Sequence, residues 1–228
     1  STNSSIGLIY ALKKIFKNRY RTPTLKLIIY LYMKNKFLKN FYSDISLISN
    51  SLDLKLIEKL VYEIKKIKNK KGRIFFLGVG GSAGNCSHAV NDFRKLCNIE
   101  CYTPLDNVSE LTARINDEGW NSSLQKWLEV SKLNSKDAIF IFSVGGGDKK
   151  RNVSVNLISS IKFAKKRKSK IFGVVGRSKS YLNKNGDCVI VIPEVNKINI
   201  TPYSESYQAV VWHSIVSHPA LKYNKTKW

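Results

Sequence analysis

The sequence predicts an α/β fold, a doubly wound parallel five-stranded sheet with flanking helices, preceded by an N-terminal helical segment. Three observations carry this reading. Continuous apolar runs at residues 74–77, 138–142, 171–175 and 188–192 have the length and composition of strands buried on both faces. The first two runs end in glycine-rich loops that lead into helix-forming sequence. Residues 1–71 carry apolar residues at helical spacing and no strand pattern.

Taken in order, residues 6–17 read as a first helix. Pro23 can open a second, because its fixed φ suits the first helical position, and Asp53 caps a third that runs toward Lys70. From Gly72 onward strands alternate with helices, with a weaker strand expected at residues 100–102. The chain is therefore read as a helical segment, residues 1–71, whose first 35 residues form a basic extension, and a sheet domain, residues 72–228.

At 228 residues and 43% hydrophobic content the chain can fill one core. The formal charge of +23 is spread along it, with 16 Lys and Arg against 4 Asp and Glu in the first 71 residues and 23 against 12 in the rest. No strip of interleaved basic and aromatic residues marks a nucleic-acid site, so the excess reads as solvated surface whose field favours anionic ligands. Cys86, Cys97, Cys101 and Cys188 form no metal-binding or redox pair and read as reduced thiols of a cytoplasmic protein. Residues 27–33 are apolar but too few to span a bilayer, and no signal-peptide pattern precedes them, so no membrane association is expected.

The chemistry begins at the first glycine loop, Gly78-Val79-Gly80-Gly81-Ser82. Its glycines permit a tight turn, and Ser82 opens a helix whose unpaired N–H groups and positive dipole end suit an anion. The spacing is not that of a dinucleotide fingerprint, and no Gly-Lys-Ser/Thr follows, so no nucleotide cofactor is expected. His88 and Asp92, four residues apart, share a face of that helix. The second loop, Ser143 to Gly147, has the same character, and Ser154 is placed to cap the next helix; Ser82, Ser143 and Ser154 together can hold a phosphate. Glu205 and His213, eight residues apart on a final helix, repeat the pairing of acid and imidazole. Two histidines and two carboxylates can serve either as an acid and base pair or as a metal site. His218, before Pro219, reads as structural.

These segments together resemble the sugar isomerase (SIS) fold, and within it a divergent branch of the phosphoheptose isomerase family, which acts on sedoheptulose 7-phosphate. The likeness covers about residues 36–228 and rests on the first loop with its downstream His88, on Leu111-Thr112-Ala113 with Asn116-Asp117-Glu118-Gly119, on the Ser143 loop, on Gly173 to Arg177, and on the last helix. It implies that Val79, Gly80, Gly81, Ser82, Asn116, Asp117, Ser143, Ser154 and Glu205 contact a sugar phosphate. It further implies that Asp92 and His213 are the catalytic base and acid, that His88, Asp92, Glu205 and His213 are the ligands of a zinc cofactor, and that a homotetramer builds its active sites at subunit interfaces. The family usually carries asparagine at Val79, glutamate at Asp92 and glutamine at Glu205. Two other readings follow from the same residues: a non-catalytic SIS-fold regulator, or an isomerase of another phosphosugar.

Overall fold

The computed structural model describes the backbone of residues 23–225 and the side chains of residues 36–225. The helix read over residues 6–17 lies outside the described residues. In chain order the elements are α1 Pro23–Ser51, α2 Leu54–Asn69, β1 Ile74–Leu77, α3 Gly81–Cys97, β2 Cys101–Tyr102, α4 Val108–Glu118, α5 Ser123–Val130, β3 Ala138–Ser143, α6 Val155–Lys166, β4 Lys170–Val175, α7 Tyr181–Asn185, β5 Cys188–Val191 and α8 Ile200–Ser217. The chain divides into two compact units, one ending at Ser46 and the other starting at Leu47.

In the second unit, α2 begins as expected: the Asp53 side chain accepts a bond from Leu56 N at 2.9 Å. That bond satisfies one of the donors a helix start leaves unpaired. Leu60, Val61, Ile64 and Ile67 then form one buried stripe at helical spacing.

The five strands are all parallel, in the order β2-β1-β3-β4-β5. Their side chains alternate between two buried layers. Phe75, Leu77, Ile139, Ile141, Ile171, Val175 and Val189 face a layer with Leu124, Leu128, Leu157, Ile161 and Leu182, which come from α5, α6 and α7. Phe76, Phe140, Phe142 and Phe172 face the other side and form an aromatic cluster with Phe93 of α3 and Trp212 of α8. Burial on both faces explains why these strands read as unbroken apolar runs.

The strand order reverses direction between β1 and β3. In open parallel sheets ligands bind beyond the carboxyl ends of the strands at such a point. The two glycine loops leave from the ends of these two strands.

Candidate active site

Gly80 precedes α3 with φ +65°, a conformation that favours glycine. Val79 is half-buried and packs its side chain against the core. The helix start that follows holds an anion of the protein's own. Glu205 Oε1 accepts from Ser82 N at 3.1 Å and lies 3.4 Å from Ser82 Oγ. A Cβ on Gly81 would stand 2.5 Å from Glu205 Oε2, so only glycine lets this carboxylate approach. Gln208 Nε2 donates to Ser82 Oγ at 3.0 Å, and Asn85 Nδ2 donates both to Gln208 Oε1 at 2.7 Å and to Glu205 O at 2.9 Å. The polar groups at this helix start are thus committed to α8 and offset the positive end of the dipole from within the chain.

These bonds also fix how the two helices lie. Ser82 meets Glu205 across 123 residues, Asp92 meets Trp212 across 120, and Cys97 meets Val216 across 119. A nearly constant offset means that α3 and α8 run side by side in the same direction. Residue pairs one helix turn further along meet one turn further along.

That register brings His88, Asp92 and His213 together, with one ligand atom from each lying within 4.8 Å of the others. Asp92 Oδ2 is 3.3 Å from His213 Nε2 and 3.6 Å from His88 Nε2. The imidazole rings are 5.3 Å apart at 81°. The side chains of His88 and His213 are 57% and 49% exposed and that of Asp92 11%, so a ligand can reach the histidines while the carboxylate is held from behind. Trp212 Nε1 donates to Oδ2 at 3.1 Å, and Asn91 Nδ2 to Oδ1 at 3.0 Å. Donors ~2.0–2.1 Å from a tetrahedral zinc stand ~3.3 Å apart, and two imidazoles with one carboxylate form a known open zinc set. The three side chains offer the donor types of that set, and two of their separations, 3.3 and 3.6 Å, are near its spacing.

Glu205, expected among the metal ligands, turns away from them to Ser82. The offset of eight residues from it to His213 spans about 12 Å of helix, so one reaches the start of α3 and the other its middle.

At the second loop, Ser143 is buried and its Oγ accepts from Gly146 N at 2.9 Å. Gly146 and Gly147 take φ +64° and +85°. An antiparallel bridge between Asp148 and Val153 closes the segment that follows. Within it Arg151 Nε donates to Asp148 at 2.7 Å and holds that carboxyl below its ordinary value.

Ser154 stands at the start of α6, but in the left-handed region (φ +49°), and its hydroxyl makes no capping bond. The expected cap is absent because the chain arrives with the wrong backbone geometry for the side chain to reach back. Asn156, wholly buried in the first turn, accepts from Leu157 N through Oδ1 while its Nδ2 has no protein partner. The second loop therefore keeps polar groups in reserve that the first has used.

Asn116 and Asp117 lie on the exposed last turn of α4 and bond to each other at 2.7 Å. The structure brings them into no described bond with the histidines or with either loop. Cys86 is buried, and burial pushes its thiol far above the ordinary value, which leaves no nucleophile there. His218 is structural, with Nε2 3.2 Å from Glu58 and Nδ1 accepting from Ala220 N at 3.1 Å. Trp212, Asn85 and Asn156 carry more of the geometry than the sequence pattern indicated. All three sit within one helical turn of residues that it did single out.

No protein-family model matches the chain. A lincomycin biosynthesis protein of Streptomyces lincolnensis is 31% identical over 158 residues, which is 64% of this chain and 56% of that relative's length. A phosphoheptose isomerase of Buchnera aphidicola is 26% identical over 162 residues, 69% of this chain and 77% of that one. The solved structure of a phosphoheptose isomerase from Francisella tularensis superimposes with a TM-score of 0.68 at 17% identity, over 82% of this chain and 95% of that one. The chain has the SIS fold of this solved structure and is similar in sequence to phosphoheptose isomerases.

Proposed function

We propose that the chain is an aldose–ketose isomerase of a phosphorylated sugar, and that it interconverts sedoheptulose 7-phosphate and D-glycero-D-manno-heptose 7-phosphate for surface polysaccharide synthesis. The observation that carries this reading is the convergence of His88, Asp92 and His213 on one carboxylate oxygen. A regulator that only binds sugar has no use for two open imidazoles around a held carboxylate.

The phosphate goes to the second loop, because the first already contains the Glu205 carboxylate and two anions side by side repel. The backbone N–H groups of Gly145 and Gly147, the Ser154 hydroxyl, which makes no capping bond, and the start of α6 supply donors there. Trp212 joins this loop to the histidines: its ring stacks on Phe142, the residue before Ser143, at 5.6 Å, and its N–H reaches Asp92.

With the phosphate held, the carbonyl end of the open sugar meets the cluster. Asp92 takes the proton from C1 of the ketose while His213 protonates the C2 oxygen, which gives the enediol. Asp92 then returns its proton to C2, and His213 accepts the proton of the C1 hydroxyl, leaving the aldehyde. Zinc, were it held by His88, Asp92 and His213, would occupy the His213 nitrogen and polarise the carbonyl oxygen in place of its proton.

The open faces of the histidines support completion of the site by a neighbouring subunit of a homotetramer. Among the described residues no helix is long and apolar enough to cross a membrane, and a cytoplasmic place suits the phosphorylated substrate.

Asp92→Asn and His213→Ala should abolish turnover while leaving the circular dichroism spectrum and Tm close to wild type. Near-normal activity in both folded variants would end this assignment.

A further inference from the structure

We infer that Trp212 is a positioning residue for Asp92, its indole N–H fixing the plane of the carboxylate so that one oxygen faces the two histidines. The inference rests on the His88–Asp92–His213 reading above. Oδ2 is the oxygen toward which both imidazoles turn, and it is also the one that accepts from Trp212 Nε1 at 3.1 Å. Oδ1 is held by Asn91 at 3.0 Å. A quarter-turn of the carboxylate about its Cβ–Cγ bond would break both bonds, whereas a half-turn only exchanges equivalent oxygens.

The indole suits this task chemically. Its N–H can only donate and does not titrate in the working range of a protein, so it stabilises an acceptor oxygen without competing for the proton or the metal. It reaches a carboxylate that is 8% exposed and that no described bond or ion pair links to lysine or arginine. The ring itself is fixed. Trp212 is 1% exposed, stacks on Phe142 at 27° between planes, and meets the edge of His88 at 5.3 Å between centroids. A ring used only to fill the core would leave zinc affinity insensitive to loss of its N–H, and that is the distinction to test.

Trp212→Phe keeps an aromatic ring beside Phe142 and removes the donor together with part of the ring volume, so its Tm is measured alongside to read the packing loss separately. Zinc affinity should be measured by competition with a chromophoric chelator for the wild type, Trp212→Phe, Asp92→Asn and the double variant. Loss of an outer partner of a metal ligand weakens binding by roughly 10- to 100-fold, and that loss is expected for Trp212→Phe. Because the indole acts through Asp92, the double variant should bind no more weakly than Asp92→Asn alone.

A second readout needs no Trp212 variant and no turnover. The chain has 4 tryptophans, and one indole N–H resonance in the 1H–15N spectrum of the full chain should move both on adding zinc and on Asp92→Asn. Zinc affinity of folded Trp212→Phe within twofold of wild type, full additivity of the two losses, no indole that responds, or a wild type that takes up no zinc would each overturn the inference. An inactive protein that still showed the affinity pattern would overturn the isomerase reading alone.

Discussion

Removing the Glu205 carboxylate should destabilise the fold by a definite amount. The carboxylate accepts from Ser82 N at 3.1 Å in the first turn of α3, within reach of the positive end of that helix. A hydrogen bond to a charged partner contributes about 1.5–3 kcal/mol and the dipole about 0.3–1 kcal/mol, and the two overlap because the same N–H groups supply both. Glu205→Ala should therefore cost about 2 kcal/mol, a fall in Tm of roughly 4–8 °C for a chain of this size. Glu205→Gln retains an acceptor and loses the charge, so it should cost about 1 kcal/mol and half that fall. Scanning calorimetry of the two variants against wild type reads both numbers. Adding inorganic phosphate should restore Glu205→Ala by more degrees than it raises wild type, since only the variant has an empty first nest. A Glu205→Ala protein that melts at or above the wild-type temperature would refute the view that this nest is filled from within.

Three further outcomes follow. Gly81→Ala places a Cβ 2.5 Å from Glu205 Oε2 and should lower Tm in the wild-type background but much less in Glu205→Ala; equal losses in both would show that Glu205 does not occupy the space. Asp137 is 2% exposed and accepts from Arg73 N at 2.9 Å, Arg73 Nη2 at 2.8 Å and Asn134 Nδ2 at 2.9 Å, so Asp137→Ala should cost about 3 kcal/mol in urea unfolding, and a loss under 1 kcal/mol would contradict this. Burial pushes the Cys97 thiol up to about 11, above its model-peptide value; the unfolded chain then loses that proton first, so stability should decline as pH rises from about 9 toward 11, and the native thiol should resist a thiol reagent at pH 8 that labels it after unfolding.

Much of the sheet was legible in the sequence. Residues 74–77 form a strand with the expected bounds, because a strand covered on both faces must be apolar throughout and the glycines after Leu77 end it abruptly. The cap of α2 was equally plain, since Asp53 acts on its own immediate neighbours. The meeting of His88, Asp92 and His213 was suggested by their pairing on helix faces. What the sequence could not contain was the register of α3 against α8, which packing of Trp212, Phe93 and Phe142 determines. That register sends Glu205 to Ser82 and His213 to Asp92. Ser154 illustrates the other limit: its residue type suits a cap, but the path of the preceding loop puts it at φ +49°.

Isomerisation at the His88–Asp92–His213 cluster can be followed by NMR of the purified protein incubated with sedoheptulose 7-phosphate, with and without a zinc chelator. Resonances of the aldose heptose 7-phosphate should grow in with time for the wild type and be missing for Asp92→Asn. Unchanged sedoheptulose 7-phosphate under both conditions would contradict it.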